Sequence, residues 1–189
     1  MKTETRKQQI IQTSAILFKE RGYSAVTMRD IAKAMGIKAA SLYNHIASKQ
    51  EILSDIIISL AEEFTEGIQC IVNLDESSIF KIKQIVHLHV QITLNNQFGM
   101  ASLNNDWMHL EGKLDYYLTL RKNYETVFRQ IIDMGISRNE LVKGNSEVML
   151  FSLLSTLRSL YIWLPKKEEL DVDEFSSELS SVLINGINK

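Results

Sequence analysis

The segment from Lys38 to Lys49 holds the side chains of this chain best suited to touch another molecule: Lys38, Ala39, Ala40, Ser41, Tyr43, Asn44, His45 and Lys49. Leu42 and Ile46 lie four residues apart, so a helix that turns them inward leaves the others outward. Lys38, Ala39, Ala40, Ser41 and Asn44 are therefore expected at DNA base edges. Asparagine can bond to adenine through two contacts, and alanine leaves room for a thymine methyl group. With Thr27 and Arg29 just upstream, these residues make up the expected DNA-binding set.

No other chemistry finds a matching pattern. His87 and His89 are two apart on a predicted helix, about 200° around its axis, so they cannot grip one ion together. The chain has no Cys-x-x-Cys or His-x-x-x-His spacing, the usual frameworks for zinc. It also lacks a glycine-rich phosphate loop and a nucleophile elbow. No catalytic residue, metal ligand or cofactor is expected, and the chain does not read as an enzyme. Cys70 is the single cysteine; it excludes an internal disulfide, fits a reducing cytoplasm and is expected to be buried and inert.

Positioning the Lys38–Lys49 segment requires a specific set of elements. Thr27 can cap a helix with Asp30 three residues on, a variant capping box that suits the positive helix end. Met28, Ile31 and Met35 share one face of that helix, and Gly36 can end it in the left-handed conformation. The next helix begins near Lys38. Ser48 and Glu51 form a second capping box for a helix leaving at Ile52. Upstream, Arg6 to Arg21 carries Ile10, Ile11, Ser14, Ala15, Leu17 and Phe18 as an apolar stripe, and the Arg21-Gly22-Tyr23 turn follows. Two short helices joined by a glycine turn, with a third to complete the core, are the pattern of a helix-turn-helix.

The run FKERGYSAVTMRDIAKAMGIKAASLYNHIASKQEIL resembles the amino-terminal domain of TetR-family transcriptional regulators, over roughly Glu4 to Phe64. The Arg-Gly-Tyr turn, Gly36, the Leu42-Tyr43 pair and Ser48-Lys49 carry the resemblance. It implies an all-α protein: a helix-turn-helix domain over residues 1–50, with the helix-turn-helix at 27–46, and a ligand-binding and dimerisation bundle over 51–189. It also implies that Thr27, Tyr43, His45 and Lys49 hold DNA phosphates. Most such regulators are repressors.

Charge agrees with that division. Residues 1–53 hold nine Lys/Arg against four Asp/Glu, and the rest of the chain twelve against nineteen, within a net charge of −2. A near-neutral total thus conceals a basic head, which is the footprint of a phosphate-binding surface.

Beyond residue 50 the pattern stays helical, with one proline and eight glycines in the whole chain. Ile52, Ile56, Leu60, Phe64, Ile68 and Ile71 run down one face of a long helix. Further helices are expected over Ile79–Leu94, around Asp106–Leu110, and over Lys113–Met134, the last closed by Gly135. Leu114, Tyr117, Leu120, Tyr124, Phe128 and Ile131 mark the inward face of the last of these. Val148–Leu164 has Arg158 as its only charge and is expected to be buried on all sides, without being a membrane span. Phe175–Ile187 carries Phe175, Leu179, Val182, Leu183 and Ile187. Its Ser176, Ser177 and Ser180, with Ser152, Ser155 and Ser159, are small enough for close helix approach. By the family resemblance, these last two helices pair with a second copy in a four-helix bundle.

Trp107, Tyr117, Tyr124 and Phe128 could line an apolar pocket, and Arg121 and Arg158 could face an anionic group; a salt bridge is the competing role for Arg158. The segments LRKNYETVFRQIIDMG and LYIW resemble relatives that sense acyl-CoA thioesters. The expected function is a cytoplasmic, dimeric repressor released from a palindromic operator by a small apolar or acyl-thioester effector. A DNA-binding protein that is not ligand-gated remains the alternative.

Overall fold

The computed structural model describes residues 5–167 and 170–185; Glu4 and Ile187, both named above, lie outside them. The long elements are α1 Arg6–Arg21, α2 Met28–Ala34, α3 Ala39–Leu42, α4 Lys49–Val72, α5 Ser78–Asn95, α6 Gly99–Asn105, α7 Leu114–Ser137, α8 Ser146–Trp163 and α9 Val172–Asn185. Short 3-10 turns occupy Tyr23–Ala25, Trp107–His109, Glu111–Lys113 and Leu164–Lys166. The fold is all-α.

Two compact units divide the chain. One holds the chain up to Ala61 together with Asn96–Tyr117, and the other holds Glu62–Asn95 with the chain from Leu118 onward. The polypeptide therefore leaves the first unit and returns to it, so neither unit is one continuous stretch.

In the first unit, α1 buries Ile10, Ser14, Ala15, Leu17 and Phe18. Thr27 caps α2 with Asp30 in a reciprocal box: the Asp30 N–H donates to the Thr27 hydroxyl at 3.2 Å, and the Thr27 N–H to the Asp30 carboxylate at 2.8 Å. Gly36 lies at φ +66°, and the Ile37 N–H reaches back to the Ala32 carbonyl at 3.0 Å. Those two features together are the left-handed closure that glycine favours at a helix end. Ser48 accepts from the Glu51 N–H at 3.0 Å, but the Glu51 carboxylate takes the Ala47 N–H at 2.7 Å instead of completing the box. Ser48 is thus the cap, as its spacing from Glu51 indicates, and the helix starts at Lys49. The helix expected around Asp106–Leu110 is displaced: α6 ends at Asn105 and Trp107–His109 forms a 3-10 turn. α6 packs on α1, and a side chain at Gly99 would meet Leu60 at 3.1 Å and Ile56 at 3.3 Å.

The second unit is built on α5, which packs against α8 and α9 and buries Ile82, Ile85, Val86, Val90 and Ile92. Gly135 does not close α7, which runs on to Ser137. A Cβ at Gly135 would stand 2.8 Å from both Leu141 and Ser78, so glycine is required there for close packing. Asn139 supplies the stop at φ 57°, with the Glu140 N–H returning to the Gly135 carbonyl at 2.9 Å. The Glu140 carboxylate in turn accepts from the Ser78 N–H at 2.6 Å at the start of α5.

α8 differs from the expectation of burial on all sides. Met149, Leu150, Leu153, Leu154, Leu157 and Leu160 are buried, while Val148, Phe151, Ile162 and Trp163 are exposed. Ser146–Lys166 is long and apolar enough to cross a membrane by length and composition. Its inward leucines pack within the unit and its arginine is ion-paired, as in the core helix of a bundle. α9 buries Ser176, Ser180 and Ile184 and exposes Val182. The expected serine set is thus split: Ser176 and Ser180 face the unit's own core, whereas Ser152, Ser155, Ser159 and Ser177 are exposed. Cys70 is exposed on α4, contrary to the expected burial.

Candidate functional site

Thr27, Arg29, Lys38, Ala40, Ser41, Tyr43, Asn44 and His45 are all exposed, and Ala39 is half-buried. Leu42 and Ile46 anchor this surface from beneath at 0% and 2% exposure. Regular α3 lasts only one turn, but the chain keeps winding: the Ile46 N–H still reaches the Leu42 carbonyl at 3.2 Å. The polar and small side chains consequently stay on the outer side. Thr27 keeps its hydroxyl close to Asp30, so the groups it can offer a phosphate are shared with its cap.

Lys49 is placed differently from the other expected phosphate ligands. Its ammonium donates to the carbonyls of Tyr23 and Val26, both at 2.8 Å, and lies 4.2 Å above the Tyr23 ring. Two of its three donors are therefore committed within the protein. Partial burial lowers its pKa from the usual lysine value, with nearby Asp106 acting in the opposite direction.

Beside it lies a group that the sequence reading missed. The Tyr23 hydroxyl donates to Gln50 Oε1 at 2.6 Å, the Gln50 amide donates to the His109 carbonyl, and the Tyr23 and His109 rings stack at 5.4 Å. The start of α4 is thereby tied to the Trp107–His109 turn, a partner 59 residues away. No local spacing could have signalled this contact.

The expected ligand residues fall into two groups. Trp107 and Tyr117 stack at 5.9 Å in the first unit. In the second, Arg158 and Arg121 both bind Glu125, at 2.5 and 3.2 Å. Arg158 therefore makes the competing salt bridge, within its own chain. Tyr124 packs edge-on against Phe128 and Phe64 and shares a 2.8 Å hydrogen bond with His89 Nε2. His89 is fully enclosed: burial, reinforced by the Arg158 charge, pulls its pKa down to about 3. Burial also raises Tyr124 above its ordinary value. Two cavities in this unit, of about 290 and 560 Å³, are lined by other residues, among them Lys83, His87 and Asp173 in one and Lys81, Asp133 and Arg138 in the other. Among the described residues, no group of three or more His, Cys, Asp or Glu is placed to hold a metal ion.

The model of bacterial regulatory proteins of the tetR family matches residues 10–56, and that of the tetracyclin repressor-like C-terminal domain matches residues 75–187. The HTH-type transcriptional repressor KstR2 of Rhodococcus jostii (strain RHA1) is 22% identical, over 96% of this chain and 91% of its own. The solved ketosteroid transcriptional regulator KstR2 of Mycobacterium tuberculosis superposes with a TM-score of 0.92 at 18% identity, covering 100% of this chain and 97% of that one. AibR in complex with isovaleryl coenzyme A and operator DNA superposes with a TM-score of 0.79 at 19% identity, covering 94% and 97%.

A solvent-facing helix-turn-helix in a chain matched by both of these family models is that of a DNA-binding transcriptional regulator, not an enzyme. The chain belongs to the TetR family of bacterial regulatory proteins.

Proposed function

We propose that this protein is a dimeric repressor, acting in the cytoplasm, that leaves a palindromic operator when a small apolar or acyl-thioester effector binds its body. The observation that carries the DNA reading is the outward surface from Lys38 to His45, held up by Leu42 and Ile46 in a basic segment. Lys38, Ala39, Ala40, Ser41 and Asn44 meet base edges; Thr27, Arg29, Tyr43 and His45 meet phosphates. Lys49 positions the head through Tyr23 and Val26.

Dimerisation is supported by apolar side chains left in solvent on α8 and α9: Phe151 is 72% exposed and Val182 73%. Exposed serines beside them permit close helix approach. A second copy supplies the matching apolar face, since a two-fold interface uses the same patch on both sides. The effector reading is supported by the aromatic surroundings of Tyr124 and by the solved relative that holds isovaleryl coenzyme A with operator DNA. α4 is covalently continuous from Lys49 beside the head to Val72 in the second unit, so a ligand that favours one placement of α4 biases the head. A hundredfold loss of DNA affinity needs about 2.7 kcal/mol of coupling between the two sites.

The test begins with the selection of a binding site from random duplexes. An imperfect palindrome bound by two protomers is expected, with affinity reduced by an acyl thioester. Binding to duplex DNA without sequence preference would contradict the proposal.

A further inference from the structure

We propose that His89, Tyr124 and Thr93 form a donor site for one uncharged carbonyl oxygen, a ketone or a thioester, on the apolar part of a ligand. The inference rests on the effector reading above and specifies which group of the effector is recognised.

All three side chains are enclosed in the second unit: Thr93 is 0% exposed, His89 4% and Tyr124 7%. His89 Nε2 and the Tyr124 hydroxyl lie 2.8 Å apart, while His89 Nδ1 and the Thr93 hydroxyl have no hydrogen-bond partner among the described residues. A neutral imidazole carries one proton, which leaves two arrangements. If Tyr124 donates to Nε2, the proton is on Nδ1 and that N–H has no acceptor. If Nε2–H donates to Tyr124, the phenol O–H has none. Either tautomer leaves one buried donor unused, and the Thr93 hydroxyl adds a second. Thr93 follows His89 by four residues on α5, on the same side of the helix.

Enclosed polar groups are normally satisfied, and an unsatisfied set marks a place where something is bound or strained. A carbonyl oxygen has two lone pairs and accepts two donors at once. The surroundings choose between neutral and charged guests. Phe64 lies 4.6 Å from the His89 ring, and Phe128 6.3 Å from the Tyr124 ring. Burial also holds His89 uncharged. The Arg158 cation is already bonded to Glu125 at 2.5 Å. A carboxylate placed among these rings would lose its hydration without gaining a free cation, whereas a ketone or thioester oxygen loses little.

The test uses the full chain and two probes, octanoyl-CoA and S-octyl-CoA; the second is a thioether that lacks the carbonyl oxygen. Wild type is expected to bind octanoyl-CoA more tightly by about tenfold, the yield of one well-placed hydrogen-bonded group. Thr93→Val keeps the shape and should erase much of that preference, and Thr93→Ser should restore it. Without ligand, Thr93→Val should melt at the same or a higher temperature, because it deletes an unpaired polar group. A clear fall in melting temperature would show that the hydroxyl is satisfied inside the fold, by water or backbone, and would overturn the proposal. Equal binding of both probes by wild type would overturn it too while leaving the effector reading intact. Binding of neither probe would count against the thioester effector itself, and the inference would fall with it.

Discussion

Lys49 lies 4.2 Å above the ring of Tyr23 and donates to its main-chain carbonyl at 2.8 Å. The lysine at the start of α4 thus fastens the loop before α2, and through it the placement of the reading surface. Lys49→Ala should lower head stability by about 1–2 kcal/mol, from lost charged hydrogen bonds and the cation–π contact. Urea unfolding measures this. The slope of log affinity against log salt should remain near wild type. A slope smaller by about one per protomer would return Lys49 to the phosphate contacts.

Asn44 is the polar residue of the outer surface best suited to read a base. Asn44→Ala should change which operator base is preferred, by about 1–3 kcal/mol at one position of each half-site. Selection with the variant would reveal it. A uniform loss across all sequences would instead place Asn44 among the backbone contacts.

Phe151 and Val182 stand in solvent at 72% and 73% exposure. Phe151→Glu combined with Val182→Glu should give folded monomers in sedimentation, with unchanged helical circular dichroism and loss of tight operator binding. A dimer that survives both changes would move the interface elsewhere.

His89 makes stability depend on pH. The unfolded chain takes up a proton at the ordinary histidine value of 6.5, the folded chain only at about 3. Between those values the unfolded state binds the extra proton, so stability falls as pH drops from 6.5 toward 3, by up to about 1.4 kcal/mol per unit. Asp30 and Glu51, whose carboxyls are held below their usual range by hydrogen bonds from Thr27 and Ala47 respectively, add to acid sensitivity only at lower pH. Urea unfolding of wild type and His89→Gln at pH 7 and pH 5 should show the loss in the first and a flatter response in the second. Equal slopes would mean that His89 is protonated in the folded protein.

Local signals were legible in the sequence. α1 spans Arg6–Arg21 as its apolar stripe indicates, and Thr27 caps α2 as its spacing from Asp30 requires. Ile52, Ile56, Leu60, Phe64, Ile68 and Ile71 are all buried along α4, as are Tyr117, Leu120, Tyr124, Phe128 and Ile131 along α7. What was not legible depends on distant partners. Gly135 looks like a helix stop until Leu141 and Ser78 are seen to crowd it. Lys49 gives no sign in sequence of its bonds to the Tyr23 and Val26 carbonyls, which lie 26 and 23 residues away in the chain. Ser176 and Ser180 look like interface residues until α5 packs over them. His89 Nδ1 and the Thr93 hydroxyl become notable only once the fold buries them without a hydrogen-bond partner among the described residues.

In the proposed mechanism, operator and effector binding are coupled. The decisive measurement is the affinity of the selected operator, by fluorescence anisotropy, across a set of acyl thioesters that bind the protein, paired with thioester affinity with and without operator. At least one thioester should weaken operator binding and be weakened by operator by the same factor. Thioesters that bind equally well in both conditions, with operator affinity unmoved, would contradict it.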